Sequence, residues 1–222
     1  MAAIEPFGDA AVLITLGESI DETLIRRVHA LWRTLDELRE TDDRVGRPVA
    51  GFAGVMLPVD PLRLDPAATA DLVAPLVARI EGERPAEDVE QAVVELPTTY
   101  GGADGPDLEA VAAHAGLSAD EVVEIHAGST YRVAFVGFLP GFAYLGPIPS
   151  AIAMPRHATP RTSVPAGSVG IAGRQTGVYP FASPGGWQII GRTSVATWDA
   201  RRDPPALLTA GRRVRFVPVL LR

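Results

Sequence analysis

Between Tyr131 and Thr193 the chain carries no aspartate or glutamate, while glycine, proline, aromatic residues and arginine crowd together. Tyr131–Phe138 alternates like a strand, with Tyr131, Val133 and Phe135 on one face. Short apolar runs follow at Ser168–Gly173, Gln175–Tyr179 and Trp187–Ile190, each bounded by glycine or proline. Short strands with turn punctuation at this density point to a β-barrel or sandwich. The expected turns are Leu139-Pro140-Gly141, Val164-Pro165-Ala166-Gly167 and Ser183-Pro184-Gly185-Gly186. Rigid turns bring backbone N–H groups near the surface, where they can receive a small anion. The same residues also read as ordinary hairpin punctuation with solvated arginines between strands, and both readings stand at this level.

Charge sharpens the contrast between this stretch and the rest. The 222 residues have a net charge of −7, and all 20 basic residues are arginine. Residues 1–88 and 89–130 are acidic, whereas residues 131–222 set eleven arginines against Asp199 and Asp203. A basic C-terminal region on an acidic chain points to a local anionic ligand or an acidic partner. The arginines form no run, which argues against nucleic acid. The absence of lysine excludes a P-loop lysine, a Schiff-base lysine and a serine–lysine dyad within the chain. The absence of cysteine excludes disulfides, a thiol nucleophile and cysteine metal sites. No apolar run reaches membrane-span length and Met1–Phe7 lacks a signal-peptide layout, so a cytoplasmic location is expected.

Taken in order, Ile4–Phe7 and Ala10–Leu16 read as strands around a Gly8-Asp9 turn. Ser19-Ile20-Asp21-Glu22 is a capping-box pattern before a helix with Leu24, Val28, Leu31, Leu35 and Leu38 on one face. His29 lies beside that stripe as a packing or surface residue. Val49–Val59 reads as one strand, and Asp65-Pro66 opens a helix that runs to Gly82, with Pro75 inside it. The acidic segment Glu81–Asp88 reads as a domain boundary, giving domains 1–88 and 89–222. Beyond it, Ala92–Leu96 reads as a strand and Thr98–Pro106 as a loop. Asp107 caps one short helix ending at Gly116, and Ser118 with Glu121 boxes a second that ends near His126. Both are expected across one end of the barrel. Ala196–Trp198 and Arg213–Val219 read as closing strands, with Arg212, Arg213 and Arg215 solvated.

The runs HAGSTYRVAFVGFLPGFAYL and PRHATPRTSVPAGSVGIAGRQTGVYPFASPGGWQIIGRT, with GDAAVLI and PTTYGGADGPDLEAVA before them, resemble the PxpB/KipI family. Its members are also called 5-oxoprolinase B subunits or allophanate hydrolase subunit 1. Two departures are visible: Gly191-Arg192-Thr193-Ser194 where the family reads GRTP, and Gly211-Arg212 where an acid often follows the glycine. The resemblance implies an α+β protein, with a small N-terminal α+β (ferredoxin-like) domain and a C-terminal cyclophilin-like β-barrel. It implies ATP-dependent hydrolysis of 5-oxoproline to glutamate together with the enzyme's A and C subunits, the latter also cyclophilin-like. ATP is then the cofactor, with Mg²⁺ at the level of the complex. Two further readings stay open: an inhibitor of histidine-kinase autophosphorylation, and a component of a hydrolase for allophanate or a urea-related amide.

Within that frame Arg156, Arg161 and Arg192 are candidate clamps for a carboxylate or phosphate. Ser168, Thr176, Gly185 and Gly186 are candidate hydroxyl or backbone donors, with Gln175 and Gln188 in the same anion-binding set. Tyr179 and Trp187 are a candidate stacking wall. His126 is read either as a proton carrier or as a partner of the last helical carbonyls, and His157 as a surface residue. No metal ligand is expected in the central stretch. Any carboxylate base or Mg²⁺ ligand would come from Glu121, Glu124 or a partner protein.

Overall fold

A computed structural model describes residues 2–83 and 92–219. The chain divides into two units, Met1–Val89 and Glu90–Arg222. The acidic segment read as the boundary lies largely outside the described residues.

In the first unit, strands β1 (Ala3–Pro6) and β2 (Ala11–Thr15) form an antiparallel hairpin. Helix α1 (Glu22–Thr41), strands β3 (Val49–Ala50) and β4 (Gly54–Pro58), and helix α2 (Pro66–Gly82) follow. The sheet order is β1-β2-β4-β3, antiparallel throughout. Alternate residues Val12, Ile14, Val55 and Leu57 bury one sheet face against Val28, Leu31 and Leu35 of α1 and Val73, Val77 and Ile80 of α2. Three expectations are corrected here. The order is ββαββα, not the βαββαβ of a ferredoxin-like unit. Val49–Val59 is two strands, because Gly51 N–H donates to Gly54 O and folds the chain back. Helix α1 is capped by Asp21, whose carboxylate accepts from Leu24 N at 2.8 Å, while Ser19 donates its hydroxyl to that same Asp21.

The second unit begins with β5 (Val94–Tyr100), α3 (Leu108–Ala115) and α4 (Ala119–Ala127). Strands β6 (Thr130–Val136), β7 (Ala143–Gly146), β8 (Arg161–Val164), β9 (Ser168–Ala172) and β10 (Gln175–Val178) come next. The last are β11 (Ser183–Gly185), β12 (Gln188–Thr193) and β13 (Arg213–Pro218). Seven of them close a barrel in the order β10-β7-β6-β13-β5-β12-β9, with β5 and β13 parallel. Strands β8 and β11 pair outside it as a separate arm. Ser183–Gly185, expected as a turn, is therefore a strand. Ala196–Trp198 forms no closing strand and meets Ala206 only through a single bridge at Trp198. On β6 the register shifts between Val133 and Phe135, so Phe135 leaves the interior and stacks on Tyr144 at 4.2 Å. Among the described residues no helix is long and apolar enough to cross a membrane.

Tyr131, Val133, Leu145, Ile171, Ile190 and Phe216 fill the barrel, and α3 and α4 pack on it through Leu108, Val111 and Val122. Helix α4 carries the expected capping box, Ser118 accepting from Glu121 N while Glu121 accepts from Ser118 N. That contact engages Oε2 of Glu121 at the start of α4. His126, at the other end of α4, is fully buried with its ring 4.6 Å from that of Phe216. Thr176 donates its hydroxyl to Gly170 O at 2.9 Å, so its oxygen accepts from His126 Nε2–H, also at 2.9 Å. Nδ1 is then the acceptor for the Tyr100 hydroxyl at 2.8 Å. The backbone carbonyl of His126 accepts from Tyr131 OH. The imidazole is a neutral plug whose two nitrogens are both engaged, and the catalytic reading of His126 is corrected accordingly.

Burial pushes the His126 imidazole down from 6.5 to about 3. Below pH 6.5 the unfolded chain binds a proton that the folded chain refuses. Stability from this group is thus complete above pH 6.5 and declines as pH falls towards 3, by up to about 1.4 kcal/mol per pH unit. Urea unfolding of wild type and His126→Gln between pH 7 and 5 checks this. The variant is expected to be less stable at pH 7 by about 1–3 kcal/mol and to show the shallower dependence on pH.

Candidate functional site

The loop that joins β5 to α3 lies against β12. Gly101 N–H donates to Ile190 O at 3.1 Å and Asp107 N–H to Ile189 O at 2.9 Å. The approach is close enough that a Cβ on Gly105 would overlap the carbonyl of Ile190, so this position requires glycine. Asp107 has φ −102° and ψ 0°, outside the extended region that aims an N-cap side chain back at its helix. Its expected capping role is corrected: it makes no side-chain bond to α3.

The Asp107 carboxylate turns instead to β8 and β12. Arg161 Nη2 donates to Oδ1 at 2.6 Å, Ile189 N–H donates to Oδ2 at 2.6 Å, and His157 Nε2 stands 3.3 Å from Oδ2. Burial opposes the ionised form, but the bonds from Arg161 and Ile189, the nearby His157 and the Arg161 charge outweigh it. The carboxyl is held below its ordinary value. The Asp107 carboxylate thus clasps the arm to the barrel.

A second acid on the same loop behaves differently. Asp104 Oδ1 lies 3.8 Å from Arg192 Nη1, too far for a hydrogen bond. Arg192, on β12, donates from Nε to Ala166 O at 3.0 Å. Arg192 and Asp104 border two hollows. One, of about 60 Å³, is also lined by Arg161, Ser168 and Ile189. The other is a cleft of about 440 Å³, lined also by Thr99, Tyr179, Thr193 and Thr197.

These hollows collect Arg161, Ser168, Tyr179 and Arg192 from the sequence-based set; Gln175 and Thr176 line neither. Thr176 serves His126, and Gln175 pairs with Ala172 across β9 and β10. Gln188 is buried and donates to Pro155 O at 2.9 Å, which anchors the segment bearing Arg156 and His157. The Gly186 carbonyl accepts from His157 N–H at 2.7 Å. Gly185 packs so tightly on the Tyr179 ring that a Cβ would overlap the phenol oxygen. Tyr179 and Trp187 are both buried and meet Phe142 edge-on. The guanidinium carbon of Arg156 covers the Trp187 ring at 6.0 Å. The pair is therefore a packed aromatic cluster and not an open stacking wall. His157, read as a surface residue, is half-buried against Asp107.

Asp104 and Asp107 were missed as site residues, although both lie in the motif PTTYGGADGPDLEAVA. The signal was an acid pair in a glycine-rich loop, masked because an aspartate before a helix reads as a cap. Among the described residues no group of three or more His, Cys, Asp or Glu could hold a metal ion.

The family model of the carboxyltransferase domain, subdomain C and D, matches residues 2–208. A protein of Escherichia coli O157:H7 named as the B subunit of 5-oxoprolinase is 57% identical over 136 residues, 61% of this chain and 62% of that protein. A Bacillus subtilis (strain 168) protein of the same name is 41% identical over 223 residues, 97% of this chain and 92% of that one. Among solved structures, that of TTHA0988 matches with a TM-score of 0.77 and 36% identity, covering 97% of this chain and 41% of the other. The match therefore spans less than two thirds of the Escherichia coli protein and under half of TTHA0988.

Neutralising Asp107 leaves Arg161 half-buried without its counter-ion. Asp107→Asn is expected to lower stability by about 1–3 kcal/mol, measured by urea unfolding at pH 7. It should also release the arm, which limited proteolysis around residues 155–165 would detect as faster cleavage.

Proposed function

The chain belongs to the family of 5-oxoprolinase B subunits, and from that premise we propose that it serves as the B subunit of an ATP-dependent 5-oxoprolinase. The complex would hydrolyse 5-oxo-L-proline to L-glutamate together with A and C subunits. The observation that carries this reading to the residues is the 440 Å³ cleft, where the Arg192 guanidinium sits among hydroxyl-bearing side chains. Such a cleft has room for a five-membered lactam with one carboxylate. A guanidinium recognises a carboxylate through paired N–H donors.

Opening an unstrained lactam is uphill near neutrality. Transfer of the γ-phosphoryl group of ATP to the amide oxygen makes the ring carbon open to water, and loss of phosphate with C–N cleavage leaves glutamate. In this scheme the present chain binds and orients: Arg192 takes the substrate carboxylate, and Asp107 with Arg161 holds the wall in place. The donors at the cleft suit an anion, not Mg²⁺. Asp107 lines neither hollow and has both oxygens engaged, and among the described residues Asp104 is the one carboxylate lining the two hollows. The base and the nucleotide site are assigned to the companion proteins, and the chain alone is inactive.

The test is 5-oxoproline-dependent ATP hydrolysis, with glutamate measured as product, for the chain alone and mixed with its companions. Glutamate formed in the mixture and absent from the single chain is the expected result. Robust turnover by the single chain would overturn the division of labour. No turnover in a folded complex would overturn the substrate.

A further inference from the structure

The two aspartate–arginine pairs of the β5–α3 loop differ in a way that packing alone does not require. The Asp107–Arg161 pair is closed, at 2.6 Å, and its carboxylate side chain is 8% exposed. The Asp104–Arg192 pair is open, at 3.8 Å, with side chains 32% and 47% exposed. Arg192 is nevertheless not a loose surface arginine. Its Nε is tied to Ala166 O, and its strand is paired with both β5 and β9. Among the described residues neither Nη atom of Arg192 donates a hydrogen bond, so the outer edge of a fixed guanidinium is left at the boundary of both hollows.

Asp104 is equally constrained from behind. Its loop is fastened to β12 at Gly101 and at Asp107, and Gly105 N–H returns to Gly101 O at 2.8 Å. The carboxylate is thereby kept near Arg192 without a direct bond between them. A carboxylate held just out of hydrogen-bonding range balances the guanidinium charge but does not occupy its donors. An incoming anion with two oxygens would make both hydrogen bonds that Asp104 does not make.

We propose that Asp104 is an exchangeable internal counter-ion for Arg192, and that the cleft takes a small carboxylate which displaces it. Asp104 then sets affinity and selectivity. Its repulsion of a second carboxylate weakens binding of any anion, and only a ligand that uses both Arg192 donors overcomes it. The identity of the ligand as 5-oxo-L-proline rests on the proposed function; the exchange between Asp104 and a carboxylate does not.

Calorimetric titration of the full chain with 5-oxo-L-proline, acetate and 2-pyrrolidinone tests it, using wild type, Asp104→Asn and Arg192→Gln. The last probe is the lactam without its carboxylate. Asp104→Asn is expected to bind 5-oxo-L-proline about two- to fivefold more tightly, the range of a solvent-screened ion pair. Arg192→Gln should weaken it about tenfold or more, and affinity for 2-pyrrolidinone should not change with either variant. The gain in Asp104→Asn should shrink as salt rises. Circular dichroism and melting of each variant separate a binding effect from misfolding, since a merely structural Asp104 would lower stability without tightening any ligand. If Asp104→Asn tightens acetate but not 5-oxo-L-proline, the exchange stands and the substrate reading falls. Unchanged or weaker binding of every anion by folded Asp104→Asn overturns the exchange, as does absence of anion binding in all three proteins.

Discussion

The carboxylate of Asp107 holds together parts of the second unit that otherwise have little reason to stay in register. It takes its backbone position from the start of α3, a side-chain bond from β8 and a backbone N–H from β12. The β8–β11 arm is not in the barrel, so its place depends on this anion and on the aromatic cluster of Phe142, Tyr179 and Trp187. An ion at 8% exposure is tolerable because several donors point at it and one of them is charged. Moving Asp107 would displace Arg161, the segment around His157 and the wall of the smaller hollow together.

His126 shows the opposite solution to the same problem of burial. It sits inside the ring of Tyr100, Tyr131 and Phe216 with no counter-charge facing it, so the uncharged form is the stable one. A neutral imidazole can both donate and accept, and here it links Tyr100 to Thr176 through opposite ring nitrogens. The barrel end is thereby closed by a hydrogen-bonded ring rather than a purely apolar one. The polar residue specifies how α4 docks, because a rotated helix would leave buried groups unpaired.

The cleft is assembled from pieces far apart in the chain. Thr99 and Asp104 come from β5 and its following loop, Tyr179 from the position just after β10, and Arg192 and Thr193 from β12. The long acid-free stretch supplies the cation, while the acids that govern it arrive from the preceding acidic segment. That division explains how a chain of net charge −7 can present a local cation with a carboxylate beside it.

Features set by neighbours in the chain were legible in the residues. The Asp65-Pro66 helix start, the Ser118–Glu121 box, the glycine end of α3 and the apolar stripe of α1 all depend on contacts within a turn or two. Strand-length runs between glycine and proline made an all-β barrel or sandwich legible, and the order of the motifs made the family, and with it the barrel, legible too. What depended on distant pairing was not. Ser183–Gly185 looks like a turn until β8 is brought beside it, and Phe135 looks like a core residue until a register shift turns it outward. Asp107 reads as a cap because only the fold places Arg161 and Ile189 N–H within reach, and His126 reads as either a proton carrier or a helix-end partner because only the fold removes it from water. By itself the sequence determined which segments fold locally and that an acid-free, arginine-bearing stretch would form much of a barrel or sandwich. Tertiary structure decided which ions are paired, which are neutral and which are left open, because those states depend on burial and on donors that no local spacing reveals.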